Sequence, residues 1–485
     1  MAGAFGTRAG WSVAGAAVVL VGAVVVGGSR LPVRQAEPVS APVGIVGTTT
    51  AICSVGESAL AATTVDAVVA RRSPGRNGVL VGRGLDAAAS SDPSIQVDAQ
   101  GFGDTLTKLT KPLLLTGDGA MATASAAALS SSADSGVDQG LTMAPCTAPA
   151  TDQWFVGLGA DAGSRSELVL SNPDAAQAEV DLRFYGPDGE LVVPGSPGLV
   201  VPARGTQTVA LGSLLTVSEP VTVEVRATDG RVAAMARDLS SASSVPTGAD
   251  WHPASTIPAR DVVVPAVAGG AGTRRLSVVN PSDRRATVSV QVVGADGSYA
   301  PAGAQQLELA PLSTGELSLA GGLAGAAAGI RVTSDEPITA AVRSTSSTTG
   351  AAPDIAIAVA SAPILRLGVA PVASLPDVQT TLVLSNVGPA TVTAKVEVVG
   401  LDGVVVSSDD VPVADGASSV RTVRSSRPVY LTVAVPSTAQ VYGGVSLATT
   451  GSGADQVAGL TGMALISPDV AGRAPSVVPD AAVAR

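Results

Sequence analysis

Lysine, histidine, cysteine and aromatic residues are all scarce in this chain of 485 residues. It has one histidine, two cysteines and 2% aromatic residues. A zinc site or a Ser-His-Asp hydrolase would have to be built from these few side chains, so the sequence predicts no metal, no cofactor and no catalytic residue. Lysine occurs only at Lys108, Lys111 and Lys395, and the net charge is −11. Because nucleic-acid binding needs Lys and Arg to neutralise phosphates, we expect no nucleic-acid partner.

Two local patterns suggest chemistry at first sight. The only histidine, His252, lies between Trp251 and Pro253, with no G-x-S-x-G motif near it. A hydrolase would need such a nucleophile, so we predict an exposed or half-packed linker histidine. Gly157-Leu-Gly159-Ala-Asp-Ala-Gly163 is glycine-rich, but a strand pattern follows it where a phosphate loop would have a helix. The sequence therefore predicts a loop between strands.

A segment that occurs three times is the most prominent feature of the rest of the sequence. It reads Leu168-Val-Leu-Ser-Asn172-Pro, Leu276-Ser-Val-Val-Asn280-Pro and Leu382-Val-Leu-Ser-Asn386-Val, with the Asn positions 108 and 106 residues apart. An Asp-Gly pair follows each Asn by 16 residues: Asp188-Gly189, Asp296-Gly297 and Asp402-Gly403. A fixed period of this length indicates a tandem array of similar small domains.

Within one period, short alternating segments predict β-strands. Ala178 to Tyr185 alternates apolar and polar residues before the Asp188-Gly189 turn, which is typical of a half-buried strand leading into a hairpin. About seven such strands per period predict an all-β fold of tandem β-sandwich domains. The predicted boundaries are 45–150, a diverged domain without the Asn, and 151–256, 257–362 and 363–467.

Each period is predicted to close on a hairpin. The pairs of segments are 221–226 with 232–239, 329–333 with 338–344, and 429–435 with 441–447. The carboxylate pairs Asp335-Glu336 and Asp409-Asp410 fall in predicted turns, and 86–104 is predicted to be a loop. The repeated Asn could present a ligand contact three times, but an Asn that bonds the backbone two residues on and fixes a turn is the favoured interpretation.

The N-terminus and the two cysteines bear on localisation. Residues 11–29 are apolar or small, which predicts a transmembrane helix or signal anchor after a short cytoplasmic arm (1–10) and before a Pro-rich spacer (30–44). The alternative is a signal peptide that is cleaved, giving a secreted protein. Export favours a disulfide between Cys53 and Cys146 over two unrelated buried thiols. Residues 468–485, rich in Pro and Ala, are predicted to be disordered.

The strand ending in Asn-Pro, the Val-rich strand after it and the Asp-Gly turn resemble bacterial immunoglobulin-like modules. Together with the N-terminal anchor, Cys53 and the segment from Cys146 to Gly157, the layout resembles an actinobacterial family of single-span extracytoplasmic proteins of unknown function. That resemblance implies a role in the cell envelope and no catalytic residues. Trp154 and Trp251 could stack on sugars, but we expect them to pack in a core or between domains.

These observations predict a non-catalytic binding or scaffolding protein of the bacterial cell envelope, anchored by one N-terminal helix. We expect the domains to form a rod joined by links containing Pro246, Pro253, Pro258, Pro363 and Pro371. The partner would be an envelope protein or a glycan. The alternatives are an accessory or glycan-binding protein of envelope polysaccharide synthesis, and a hydrolase that uses Asp335 or Asp409.

Overall fold

A computed structural model describes residues 47–56, 63–71, 77–88, 91–92, 94–217, 219–375, 377–450 and 457–468. These residues form an all-β structure with several antiparallel sheets. The predicted cytoplasmic arm, membrane helix, Pro-rich spacer and C-terminal tail after Pro468 lie outside the described residues. Within the described part of the chain, no helix is both long and apolar enough to cross a membrane.

The described residues of block 1, the predicted domain 45–150, form eight strands and a 3-10 turn (Gly119–Met121). The strands are β1 (Thr48–Cys53), β2 (Thr64–Val69), β3 (Leu80–Gly84), β4 (Ile95–Val97), β5 (Gly103–Thr107), β6 (Leu113–Asp118), β7 (Ser125–Ala133) and β8 (Gly140–Pro145). They form two sheets in the orders β1-β6-β3-β4 and β5-β2-β7-β8. Strands β4 and β5 lie within or reach into 86–104, so the prediction of a loop there was wrong.

Block 2 (151–256) contains nine strands and a 3-10 turn (Leu211–Ser213). The strands are β9 (Asp152–Leu158), β10 (Ser164–Ser171), β11 (Ala178–Gly186), β12 (Gly189–Leu191), β13 (Leu199–Val201), β14 (Thr206–Ala210), β15 (Val221–Asp229), β16 (Ala233–Ala242) and β17 (Val245–His252). One sheet has the order β12-β11-β15-β9, with β13 also on β11, and the other has the order β14-β10-β16-β17.

Block 3 (257–362) contains one long strand that belongs to two pairings. Its elements are β18 (Ala259–Val267), β19 (Gly272–Asn280), β20 (Ala286–Gly294), β21 (Gly297–Tyr299), β22 (Gln306–Leu309), β23 (Ser313–Ser318), α1 (Ala320–Leu323), β24 (Ala328–Ser346) and β25 (Ile355–Val359). The first half of β24 pairs with β18 and β20, and its second half pairs with β19 and β25.

In block 4 (363–467), the part of the chain that the structure describes again forms eight strands. They are β26 (Leu367–Val372), β27 (Val378–Asn386), β28 (Val392–Gly400), β29 (Val405–Val413), β30 (Ser418–Val423), β31 (Val429–Ala434), β32 (Val441–Thr449) and β33 (Leu460–Ala464). The sheet orders are β26-β31-β28-β29 and β30-β27-β32-β33. With strands numbered within the block, these are the orders of block 1, so block 1 shares the topology although it lacks the repeated Asn.

The predicted closing hairpins are wrong, because the chain changes sheet at each of these places. Strand β15 pairs with β9 and β11, whereas β16 pairs with β10 and β17. Strands β31 and β32 divide in the same way. In block 3 no turn separates the two halves, so Asp335 and Glu336 lie inside β24. Asp409 and Asp410 likewise lie inside β29 and not in a turn. Alternation marks the strands, but it does not identify their partners.

Apolar side chains from both sheets of a block meet in a common core. In block 2 these include Phe155 and Val223 from one sheet and Leu168 and Ala234 from the other, all fully buried. Small β-branched residues fill the cores of blocks 3 and 4 in the same way. The strands therefore form because one face of each sheet is removed from water by the facing sheet.

The four blocks close on one another in a cycle, and the predicted rod is wrong. The last strands of the blocks meet at the centre: β8 contacts β17, β17 contacts β25, β25 contacts β33 and β33 contacts β8. Block 4 also contacts block 1 directly, where Gly103 N donates to Leu401 O at 2.9 Å. Residues 45–473 are one compact unit. Two of the predicted link residues, Pro246 and Pro371, lie inside β17 and β26.

Candidate functional site at the centre of the four blocks

Asp354, at the start of β25, holds three blocks together through its carboxylate. Its Oδ2 accepts hydrogen bonds from Leu141 N of block 1 and Leu460 N of block 4, both at 2.8 Å. Its Oδ1 accepts from Ile355 N of its own block at 2.8 Å. The residue is fully buried. Buried backbone amides need acceptors, and one side chain supplies them here for strands that no sheet joins.

Asp250, in β17, joins blocks 2, 3 and 4 through its carboxylate. Its Oδ1 accepts from Trp251 N at 2.9 Å and from Thr461 Oγ1 of block 4 at 3.0 Å. Its Oδ2 accepts from Ile357 N of block 3 at 2.9 Å. Together, Asp250 and Asp354 bond all four blocks, and we call them the central carboxyls.

Burial governs the protonation of the central carboxyls. Removal from water raises the pKa of Asp354 well above its ordinary value, against the lowering effect of the amide donors. Burial also raises the pKa of Asp250 well above its ordinary value, and the nearby charge of Asp354 raises it further. Groups with raised pKa values occur in catalytic sites, but they also occur in buried structural networks.

Next to the central carboxyls, Asp238 of β16 is surrounded by hydrogen-bond donors. Ser166 Oγ donates to Asp238 Oδ1, while His252 Nδ1 and Arg343 Nη1 lie 3.3 Å and 3.1 Å from Asp238 Oδ2. Burial acts to raise the pKa of Asp238, but the hydrogen bond and charge of His252, the charge of Arg343 and the Ser166 hydroxyl together lower it. Because Arg343 belongs to block 3, this group also joins blocks 2 and 3.

Ser166, Asp238 and His252 have the composition of a hydrolase triad but not its arrangement. In a triad, the histidine accepts the serine proton and the aspartate orients the histidine. Here the serine donates to the aspartate, and His252 Nε2 has no hydrogen-bond partner among the described residues. All three side chains are buried. The prediction of an exposed or half-packed linker His252 was wrong, since the residue ends strand β17 inside the molecule.

A buried ion pair and aromatic contacts join blocks 1, 2 and 3. Arg237 of β16 pairs with Asp138 of block 1, and its guanidinium lies 5.9 Å from the Trp251 ring centroid. Burial lowers the pKa of Arg237 to about 10. Trp154 packs 5.5 Å from Tyr185 between blocks 2 and 3. Both tryptophans are about 5% exposed or less, so neither presents a face on which a sugar could stack.

The repeated Asn residues form the same turn in blocks 2, 3 and 4. The amide two residues on donates to each Oδ1: Asp174 N at 2.9 Å, Ser282 N at 3.1 Å and Gly388 N at 3.0 Å. Each Nδ2 donates to the carbonyl four residues on and to a second carbonyl across the block. Asn172, Asn280 and Asn386 are buried at 0–1% exposure, so all of this bonding capacity is used inside one block.

The Asp-Gly pairs lie at hairpin ends, and the one in block 4 lies against block 1, where Arg71 Nη2 donates to Gly403 O. Gly186 pairs with Gly189 and Gly294 with Gly297, while Gly403 N donates to Gly400 O at 2.8 Å. Gly189, Gly297 and Gly403 have φ of +140°, +124° and +78°, which glycine adopts without a Cβ penalty. Of the three carboxylates, Asp402 pairs with Arg427 Nη1 at 2.5 Å, and Asp188 and Asp296 lie in the two-residue turns.

Neither carboxylate pair forms an acid–base dyad. Asp335 accepts from Thr287 N at 2.8 Å, and this bond lowers its pKa. Its neighbour Glu336 pairs with Arg284 Nη2 at 2.5 Å. Asp409 and Asp410 are exposed on β29. A glycosidase general acid needs a raised pKa, which Asp335 does not have. Within the described parts of the chain, no three His, Cys, Asp or Glu residues could hold a metal ion.

Cys53 and Cys146 form a disulfide, which confirms that prediction. The bond connects the end of β1 to the residue after β8. Strand β8 is one of the four that meet at the centre, so the disulfide fixes a central strand to the outer sheet of block 1. Such a bond persists in an oxidising compartment.

The period marks only part of the central group. Asp250, Asp354 and Asp238 have no equivalents 106 or 108 residues away that make the same bonds, so self-comparison ignores them. Arg343 does have an equivalent, because Arg237 lies 106 residues earlier and also pairs with an aspartate of the preceding block. The available signal was weaker: Asp250 and Asp238 are acidic residues within apolar strand patterns, and an acid inside a buried strand is expected to have a specific partner.

The comparisons with known proteins identify a family but no activity. The model of a family of unknown function (DUF5719) matches residues 87–424, more than half of the chain. No curated protein matches the sequence. A crystal structure of Thermotoga maritima 1070 is 15% identical and covers 21% of this chain and 94% of its own, with a TM-score of 0.19. The BSP domain of a biofilm-associated protein (8% identical; 87% and 96% covered) has a TM-score of 0.12. TM-scores this low do not establish a common fold.

Proposed function

We propose that the protein, which belongs to this family of unknown function, is a non-catalytic binding or scaffolding protein of the bacterial cell envelope. Membership of the family does not assign an activity to it. The bulk of the chain would lie outside the cytoplasm, held to the membrane by residues 11–29. Release after signal cleavage is the alternative for its location. The partner would be an envelope protein or a glycan.

One observation carries this proposal: the polar chemistry of the molecule is used to hold its blocks together. The central carboxyls accept hydrogen bonds from strands of other blocks. Asp238 binds Arg343 and His252 in the same enclosed region. Catalytic groups must reach a substrate, whereas these groups are buried and their bonds serve the contacts between blocks. A rigid assembly of four blocks suits a protein that positions or holds a partner.

We further propose that each block is a β-sandwich module of a kind similar to immunoglobulin-like domains. Two antiparallel sheets of mainly four strands over one apolar core support this view. The edge strands differ from the immunoglobulin order. In a constant-type domain the first strand pairs with the second, whereas in blocks 1 and 4 the first pairs with the sixth, as β1 does with β6 and β26 with β31.

The disulfide supports the proposed compartment. Disulfides of this type persist outside the reducing cytosol, and Cys53 with Cys146 ties a loop of 93 residues in block 1. In the sequence, the predicted spacer 30–44 separates the apolar segment 11–29 from the start of this block.

Cross-linking in living cells followed by identification of the captured molecules tests this proposal. Photoreactive residues would replace exposed apolar side chains on different blocks, namely Val192, Ile257 and Val404. A scaffold predicts one or a few envelope partners captured from a subset of positions. Uniform capture of abundant proteins from every position, together with a measurable hydrolysis of envelope polysaccharide that Asp335→Asn or Asp409→Asn abolishes, would instead favour an enzyme.

A further inference from the structure

Neighbouring blocks of the cycle contact each other through a strand residue that occupies the same position in every block. This residue precedes the glycine at the end of β3, β11, β20 or β28, and it pairs with the second residue of β6, β15, β24 or β31. The four residues are Arg83, Tyr185, Val293 and Val399, and they pair with Leu114, Thr222, Gly329 and Tyr430 respectively. The hydrogen-bond registers therefore make these positions comparable although the sequences differ.

The following block contributes an equivalent turn residue with positive φ. The four residues are Gly101, Arg204, Leu312 and Gly416, with φ of +87°, +49°, +55° and +64°. Arg204 N donates to Asp174 O and Leu312 N to Ser282 O, both at 3.0 Å. Arg204 and Leu312 adopt a conformation that is unusual for residues with a Cβ, so the Asn turn beside each one holds it in place.

Apolar or neutral residues occupy these strand and turn positions at three of the four contacts, although Arg71 of block 1 also donates to Gly403 O of block 4 beside one of them. Leu312 of block 3 packs against the cluster that contains Tyr185 of block 2. Ser418 Oγ of block 4 donates to Val293 O of block 3 at 2.6 Å. Between blocks 4 and 1, Tyr430 Oη donates to Gly101 O at 2.9 Å. None of these strand or turn positions carries a charge.

At the contact between blocks 1 and 2 both positions are arginine. Arg83 and Arg204 line one cleft of about 310 Å³, together with Arg231, Asp174, Thr50 and Thr116. Among the described residues that line the cleft, Asp174 is the only acid, and the Nε and Nη2 of Arg231 lie 2.9 Å and 3.1 Å from it. The charge of Asp174 also acts on Arg204, so three guanidinium groups share one carboxylate.

Arg83 and Arg204 have guanidinium N–H groups that donate to none of the described residues. Arg83 Nε donates to Ser91 O at 2.8 Å, which fixes the side chain and leaves both Nη groups. The Arg204 guanidinium has no hydrogen-bond partner among the described residues. Arg83 is half-buried and Arg204 is exposed, so an anion that enters the cleft can reach both side chains. In a chain with a net charge of −11, a cleft with three arginines and one acid is a local excess of positive charge.

We propose that this cleft is a binding site for an oxyanion, a phosphate or carboxylate group that is free or carried by a larger ligand such as a sugar phosphate. The planar donors of Arg83 and Arg204 match the paired oxygens of such a group. The hydroxyls of Thr50 and Thr116 add neutral donors at its wall. The volume admits a group the size of one sugar phosphate. The site is separate from the central carboxyls and does not depend on the proposed scaffold function.

Thermal unfolding and titration calorimetry of the full-length chain test this site. Inorganic phosphate, acetate and glucose 1-phosphate would each replace chloride at constant ionic strength and pH 7. For the preferred anion we expect a binding heat and a rise in Tm on the order of 2 °C at tenfold excess over Kd. A response to inorganic phosphate as strong as to glucose 1-phosphate identifies a free anion as sufficient, whereas a response to the sugar phosphate alone identifies a larger ligand.

The variant that combines Arg83→Gln with Arg204→Gln should lose the heat and the Tm response. Its matched control combines Arg285→Gln with Arg421→Gln, two exposed arginines outside the cleft, and should respond like the natural chain. Equal responses in all three proteins would overturn the proposal, because they would indicate general charge screening. So would the absence of any response in the natural chain. If the double variant does not fold, the single variant Arg204→Lys should weaken binding at least tenfold.

Discussion

At the repeated turns, each Asn side chain bonds the backbone of its own block, whereas at the centre Asp354 bonds the backbone of two other blocks as well as its own. Both kinds of residue are buried, and both satisfy backbone groups that would otherwise lack partners. The two kinds of residue differ in whether their hydrogen bonds stay within one block or reach other blocks. The turns define a block, and the centre defines how four blocks are arranged. A substitution at either place should therefore have a different consequence.

The largest effect is expected at the centre. Asp354→Ala leaves the amides of Leu141, Ile355 and Leu460 without their acceptor in a region closed to water, which should cost about 4 kcal/mol of unfolding free energy. Denaturant unfolding measures this cost. The control Asp296→Ala, in an exposed hairpin turn, should change the stability by less than about 0.5 kcal/mol. Similar small effects of both substitutions would mean that Asp354 does not join the blocks.

The disulfide should rank next. Replacing Cys53 and Cys146 by Ala frees a loop of 93 residues and should cost about 3 kcal/mol. Because the bond fixes β8, which reaches the centre, limited proteolysis should cut the double variant in block 1 before the other blocks. Unchanged stability of the chain after reduction would contradict this account.

A smaller effect is expected at a repeated turn. Asn280→Ala removes bonds to Arg284 O, Ala310 O and Ser282 N and should cost about 2 kcal/mol. The equivalent substitutions Asn172→Ala and Asn386→Ala should have similar costs, since the three turns share their bonds. Hydrogen exchange should show the loss of protection within the altered block. If protection fell equally in all four blocks, the turns would not be local.

The smallest effect, for a change of one pH unit, concerns Asp250. The pKa of Asp250 is raised in the folded chain, so the folded state binds more protons than the unfolded state above about pH 4. Its contribution to stability is complete below that pH and is lost as the pH rises through the folded pKa. Asp250→Asn should remove this part, at most about 1.4 kcal/mol per pH unit. Urea unfolding from pH 4 to 8 would show it as a difference in slope, and parallel curves would contradict it.

Particular residues show how far the sequence could predict the molecule. Strand pattern and the Asn period locate most strands because alternation and turn formation are local properties. Sheet partners were missed at β15 and β16, since a change of sheet leaves the alternation unaltered. The rod was a wrong prediction for a related reason: the bonds that Asp250, Asp354 and Arg343 make to other blocks span 105 to 213 residues. The period alone does not identify these partners, although Arg237 and Arg343, which are 106 residues apart, each pair with an aspartate of the preceding block. His252 looked like part of a linker because Pro253 follows it.

Block 1 has the strand order of a repeat although its sequence does not carry the repeated Asn. It lacks the repeated Asn, and Val69 stands at the equivalent place, where its N–H donates to Phe102 O at 3.0 Å as Asn172 N–H does to Gly205 O at 2.9 Å. Its strand order nevertheless equals that of block 4. The backbone pairing of a block therefore does not require the Asn turn, and the disulfide supplies block 1 with a different constraint.

Small-angle X-ray scattering of residues 45–473 tests the central claim, the closed cycle of four blocks, most directly. A compact unit of this length has a radius of gyration of about 22 Å, whereas four modules in a row would give about 40 Å. The cycle predicts the smaller value, with a single narrow distribution of interatomic distances. A value near the larger one would mean that blocks 1 and 4 do not meet and would contradict the arrangement of the four blocks.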